Sequence, residues 1–187
     1  MRIIAGRRKG MSLLVPGGRS VRPTPDRVRE ALMSILGGQF HGEHMLDLFA
    51  GSGAVGLECA SRGCSQVVLV ECAAAALQTI EANVERFAQP DAIQVLAMDM
   101  RHALSRLADD ERRFDLVYLD PPYGLHLEEV ALKELVSKSL LAKNAQVWVE
   151  TESAELLLVD GYQRFDHRRY GRVHLHGLTH NEDVHVP

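Results

Sequence analysis

No apolar run in the chain approaches the ~20 residues that a membrane-spanning helix needs, which excludes a helical membrane protein. The opening Met1-Arg2-Ile3-Ile4-Ala5-Gly6-Arg7-Arg8-Lys9-Gly10 lacks an apolar stretch long enough for a secretory signal. Cysteine is scarce: Cys59, Cys64 and Cys72 are odd in number and form no Cys-x-x-Cys pair. That argues against a disulfide framework and against a zinc cluster, so no metal is expected and a reducing cytoplasm is the expected location. There is also no internal repeat and no low-complexity segment. What remains is the composition of an ordinary globular chain: 187 residues, 46% hydrophobic and 25% charged, enough for one domain.

The formal net charge of -4 hides an asymmetry. Residues 1–29 carry eight basic side chains (Arg2, Arg7, Arg8, Lys9, Arg19, Arg22, Arg27, Arg29) against one acid, Asp26, for +7, whereas the remainder carries -11. A basic arm on an acidic body suggests a polyanionic partner. Interleaved Gly and Pro predict an extended arm over residues 1–24, in which Ile3-Ile4 and Leu13-Leu14-Val15 could form short strands that Pro16-Gly17-Gly18 breaks, with the main domain over 25–187.

Thr24 reads as a helix N-cap with Pro25 at the first helical position. Val28, Ala31, Leu32, Ile35 and Leu36 follow at helical spacing, which puts Arg27, Arg29 and Ser34 on the opposite, basic face. From residue 44 strands and helices alternate. Strands are expected at Met45–Phe49, Gln66–Glu71, Ala92–Ala97, Phe114–Leu119 and Ala145–Val149. Helices are expected at Ala54–Arg62, Ala73–Ala88, Arg101–Ala108 and Leu127–Ser139. Near-continuous apolar strands between helices predict a doubly wound, mostly parallel sheet. Past residue 160 the chain turns polar. Val173, Leu175 and Gly177-Leu178 could add a closing edge strand, and His174, His176, His180 and His185 read as a solvated tail.

Two segments carry chemistry. In Asp47-Leu48-Phe49-Ala50-Gly51-Ser52-Gly53-Ala54-Val55-Gly56, the pattern Gly-x-Gly-x-x-Gly lies between a strand and a helix, and Glu71 follows Gly51 by 20 residues at the end of the next strand. An acid at that spacing binds ribose hydroxyls in nucleoside-cofactor units. Asp47 argues against a dinucleotide, because a carboxylate repels pyrophosphate and attracts an ammonium or sulfonium group. A cofactor with ribose, sulfonium and an amino acid end is S-adenosylmethionine. Asp99, after the third strand, is placed to accept from the adenine amine.

The second segment, Asp120-Pro121-Pro122-Tyr123, follows the fourth strand and falls at the same carboxyl edge. Two prolines remove backbone donors. An array of acceptors remains, the Asp120 carboxylate and the Pro121 carbonyl, beside an aromatic ring at Tyr123 that can stack on a base. Such an array suits an exocyclic NH2 group and draws its lone pair out of conjugation.

These motifs resemble the amino-group class of S-adenosylmethionine-dependent methyltransferases. Met1–Gly6, Arg22-Pro23-Thr24-Pro25-Asp26-Arg27-Val28-Arg29-Glu30-Ala31-Leu32, Leu57-Glu58 and Ser61-Arg62-Gly63 resemble the narrower bacterial 16S rRNA guanine-N2 methyltransferase (RsmD) family. The resemblance implies an α/β Rossmann-like class I fold, with a seven-stranded sheet, one antiparallel edge strand and helices on both faces. It implies Asp47, Phe49, Gly51, Ser52 and Gly53 at the methionine portion, Glu71 at the ribose and Asp99 at adenine. Asp120, Pro121, Pro122 and Tyr123 would take the guanine, guanine 966 of 16S rRNA. Arg2, Arg7, Arg8, Lys9, Arg22, Arg27 and Arg29 would hold phosphates of 16S rRNA or the small ribosomal subunit, and the enzyme would be a monomer without membrane contact. The rivals are an adenine-N6 DNA methyltransferase, an NAD-dependent oxidoreductase and a non-catalytic RNA-binding module. The oxidoreductase leaves Asp47 and the Asp120 segment unexplained.

Overall fold

In this computed structural model the described residues are 1–16, 26–122, 124–156 and 159–180. Apolar runs in the middle of the chain form strands buried on both faces, β1 (His44–Asp47), β2 (Gln66–Glu71) and β4 (Phe114–Leu119), and the partly buried edge strand β3 (Ile93–Ala97). Between them run α2 (Ala54–Arg62), α3 (Ala74–Phe87) and α4 (Met100–Asp109). Helix α1 (Asp26–Ile35) precedes them, and α5 (Leu127–Ser137) leads into β5 (Leu141–Thr151). The chain closes with β6 (Tyr162–Tyr170) and β7 (Val173–His180).

The seven strands lie in the order β3-β2-β1-β4-β5-β7-β6. All pairs from β3 to β5 are parallel, β7 is antiparallel to both neighbours, and β6 forms the outer edge. One face packs Val28, Leu32 and Met33 of α1 with Val55 and Leu57 of α2 and Ile80 of α3. The other packs Ala103, Leu104 and Leu107 of α4 with Ala131, Leu132 and Leu135 of α5. Strand order reverses between β1 and β4, so a crevice opens at their carboxyl ends, the position where such sheets bind ligands.

Three expectations change. Residues 1–16 are a docked hairpin rather than an extended arm. Ile3 N–H donates to Met11 O (2.9 Å) and Leu13 N–H to Met1 O (3.0 Å), and Ile3 and Leu13 are buried in the core. Burying each contributes about 1.5–3 kcal/mol, more than a solvated arm gains. The hairpin fits because position 6 is glycine: a Cβ there would fall 2.0 Å from Ser61 O, and φ is +81°.

The second change concerns Arg29. It lies on the buried face of α1, only 1% exposed, where its Nη2 donates to Arg2 O (2.6 Å) and its Nε stands 3.9 Å from Glu58. A guanidinium held there cannot hold a phosphate. The third concerns His174 and His176, which are buried within β7 rather than carried on a solvated tail. Their rings stack with His167 of β6 at centroid distances of 5.2 and 4.7 Å. Burial pushes the His176 imidazole down to about 4. His185, Thr24 and Pro25 lie outside the described residues.

Candidate active site

The crevice at the β1–β4 switch is a cavity of about 760 Å³. Asp47, Phe49, Gly51, Ser52, Glu71, Asp99, Asp120, Pro121 and Pro122 all line it, so residues up to 75 positions apart meet in one space. Gly53 is buried just behind the loop as the N-cap of α2. Tyr123 and Arg22 lie outside the described residues.

The glycine loop is held from both sides. Gly51 N–H donates to Glu71 Oε2 (3.0 Å), while Glu71 Oε1 accepts from Cys72 N–H and Ala73 N–H, both at 2.8 Å. Glu71 thus ties the end of β2 to the loop after β1 and still faces the cavity. Gly56 lets α2 lie against the sheet, since a Cβ there would fall 2.3 Å from Leu69 Cδ2.

Asp47 ends β1 and is 1% exposed. Its Oδ2 accepts from Gly56 N–H (3.2 Å), but its Oδ1 is buried with no hydrogen-bonding partner. Burial pushes its carboxyl up to about 7 and nearby Glu71 adds to the rise, while the backbone amides of Gly56 and Phe49 oppose it. A buried acceptor of this kind, opening on a cavity, suits a cationic ligand group. The same contact disfavours a dinucleotide. The Gly56 amide in the first turn of α2 is already taken by a carboxylate, where a pyrophosphate would need both the amide and the absence of negative charge.

Asp99 caps α4, accepting from Arg101 N–H (3.0 Å) and His102 N–H (3.3 Å) and pairing with the His102 ring. The His102 hydrogen bond holds its carboxyl below the usual range. The side chain is half-exposed at the cavity rim and keeps acceptor capacity there.

Sequence reasoning passed over several residues. Tyr118, inside an apolar strand, lines the cavity and donates its hydroxyl to Glu150 Oε2 at the end of β5 (2.5 Å). Burial pushes both groups up, with Glu150 raising the tyrosine further. Asn83 of α3 is fully buried: its Nδ2 donates to Ser52 O (2.9 Å) and Leu14 O (3.1 Å), and its Oδ1 accepts from Leu14 N–H (2.8 Å). It joins the N-terminal hairpin to the glycine loop, and Met1 and Pro16 line the cavity in consequence. A polar residue on the apolar stripe of α3 was the available signal.

Of the basic residues expected on the outer surface, Arg2, Arg7, Lys9 and Arg27 are exposed. Arg8 is half-buried, donating to Ala88 O (3.2 Å) with its guanidinium 5.8 Å from the Phe87 ring centre. Among the described residues no group of three or more His, Cys, Asp or Glu could hold a metal ion, and no helix is long and apolar enough to cross a membrane.

Comparison with known proteins identifies the family. The family model described as Conserved hypothetical protein 95 matches residues 1–179. The chain is 36% identical over 152 residues to Ribosomal RNA small subunit methyltransferase D of Escherichia coli, covering 81% of this chain and 75% of that one. It is 33% identical over 162 residues to the protein of the same name in Haemophilus influenzae, covering 84% and 82%. A solved structure of a hypothetical protein from Thermus thermophilus superposes with a TM-score of 0.77 at 32% identity, covering 95% of this chain and 98% of that one. The chain therefore belongs to the Conserved hypothetical protein 95 family, as an RsmD-like methyltransferase.

Proposed function

We propose that the protein methylates the exocyclic N2 amine of a guanine in 16S ribosomal RNA, guanine 966, working in the cytoplasm as a monomer. The observation that carries this reading is one cavity lined by two kinds of acid: Asp47, with an unpartnered buried oxygen, and Asp120, backed by two prolines. The first suits a cationic cofactor and the second a neutral amine. S-adenosylmethionine supplies, when bound, an electrophilic methyl group on a sulfonium. Asp47 holds its charged end, Glu71 takes ribose hydroxyls and Asp99 the adenine amine, while Phe49, Gly51, Ser52 and Gly53 shape the loop around it.

On the base side, Asp120 and the Pro121 carbonyl accept hydrogen bonds from the guanine amine. They fix its orientation and turn its lone pair toward the methyl. Catalysis then comes mainly from alignment. The nitrogen gains a methyl and must lose one proton, for which the Asp120 carboxylate is the acceptor. Pro122 stiffens the turn, and Tyr123 stacks on the base. The base must be unpaired or flipped to enter. Exposed Arg2, Arg7, Lys9 and Arg27 hold phosphates of the rRNA or small subunit, an assignment supported by the names of the relatives.

The test replaces the target guanosine by inosine, which lacks only the N2 amine. The expected result is no methyl acceptance with RNA binding retained. Methylation of the inosine RNA would show that N2 is not the acceptor, and acceptance at an adenine instead would favour the N6 reading. Asp120→Ala should lower turnover at least about 100-fold while cofactor affinity, read by calorimetry, stays within a few-fold.

A further inference from the structure

We propose that the outer strand β6 and its turn into β7 form a second phosphate-binding surface for the RNA, beside the target nucleotide and separate from the N-terminal hairpin. The inference rests on the RNA reading above. Its first support is charge. Beyond residue 29 the chain is net -11, yet residues 162–172 hold Arg164, Arg168, Arg169 and Arg172 against the single acid Asp166. All four arginines are exposed. A cationic strip on an otherwise acidic body calls for a specific anion rather than general solubility.

Its second support is register. Leu119 pairs with Val149, so Asp120, one residue on, falls in the row of Glu150, which pairs with Leu175, which pairs with Arg168. The next row holds Thr151, His174 and Arg169. Strand β6 is antiparallel to β7, which is antiparallel to β5, so β6 points the same way as β4. Its arginine-rich end therefore reaches the carboxyl edge where the target base must arrive. Three strand steps separate Arg168 from Asp120, about 14 Å at the usual strand spacing. That is the reach of a few nucleotides flanking the base.

Local contacts fix the presentation. The Arg168 Nε lies 2.8 Å from Asp166, and Arg169 Nε donates to Gly171 O (2.9 Å), which holds that guanidinium at the turn. A competing account is that charge on an edge strand only prevents edge-to-edge pairing. It would be satisfied by either sign of charge, and this separates the two.

The experiment uses the full chain with R164E, R169E and R172E combined, and an rRNA fragment carrying the target guanine. The reversed charges preserve edge protection. The expected result is RNA affinity at least about 10-fold weaker at 0.1 M salt, with the slope of log K against log salt shallower by roughly 0.7–0.9 for each phosphate no longer neutralised. S-adenosylhomocysteine affinity and melting temperature should stay unchanged, and the matching lysine variant should keep the wild-type slope. A variant that binds RNA with the wild-type slope overturns the surface while leaving the RNA reading intact. A wild-type protein with no salt-dependent RNA binding overturns both.

Discussion

Two buried carboxylates on the same side of the sheet behave in opposite ways. Glu58 of α2 is fully buried and fully engaged: its oxygens accept from Ile4 N–H (2.8 Å), Ala5 N–H (3.0 Å) and Arg62 Nε (2.7 Å), with Arg29 facing it. Asp47, at the end of β1, accepts one hydrogen bond and leaves the other oxygen without a partner. A satisfied buried acid is a fastening, and here it fastens the N-terminal hairpin and α1 to α2. An acid left half-satisfied beside a cavity is a defect of the free protein that a cation can repair. Burial alone does not distinguish structural from functional acids; the count of partners does.

The largest expected effect tests the fastening. Glu58→Gln cannot neutralise buried Arg29 and should destabilise the fold by about 3–5 kcal/mol, read from denaturant unfolding. A loss below about 1 kcal/mol would mean that the network contributes no more than a surface ion pair. Asp47→Asn should do the reverse. Stability at pH 8 should hold or rise, because a buried charge is removed. Cofactor affinity should fall by about 1.5–3 kcal/mol, the range for a hydrogen bond to a charged group, measured by titration calorimetry. If Asp47→Asn unfolds the protein and leaves affinity untouched, the contrast between the two acids disappears.

The contrast also marks what a sequence reveals. The glycine loop, Glu71 and Asp120 were legible because each stands at a fixed offset from a strand end, and local chemistry sets those offsets. Strands β2 and β4 and helix α2 have the expected ends for the same reason: apolar runs stop where Glu71, Asp120 and Gly63 begin. In the sequence Glu58 figures only within Leu57-Glu58, as part of a family resemblance that assigns it no role. Its partners Ile4 and Ala5 lie more than fifty residues away, and no periodicity encodes such a contact. Arg29 was misjudged by the same gap, since a long-range acid turned an apparently exposed cation inward. His174 and His176 misled because imidazole is polar in composition yet stacks as a flat neutral ring inside a sheet.

The smallest and most discriminating effect is on pH. With its carboxyl pushed up to about 7, Asp47 of the free protein holds a proton through the mildly acidic range. A cationic ligand group favours the ionised form, so binding below pH 7 must release that proton. Affinity for S-adenosylhomocysteine should therefore rise about tenfold per pH unit up to roughly 7 and flatten above it. Stability is a poorer readout, because buried acids and buried imidazoles oppose each other, Asp47 and His176 among them. Asp47 is raised from 3.8, so its contribution favours folding at low pH and is lost as pH climbs through 7. His176 is lowered from 6.5 to about 4, so its contribution is present above 6.5 and lost as pH falls toward 4. The two slopes cancel in part across the same window, whereas only Asp47 lines the cavity. Calorimetry between pH 5.5 and 8.5, in buffers of different ionisation enthalpy, should detect proton release for the wild type and none for Asp47→Asn. A variant that kept the wild-type pH profile would remove Asp47 from the cation site and leave the cavity's polarity unexplained.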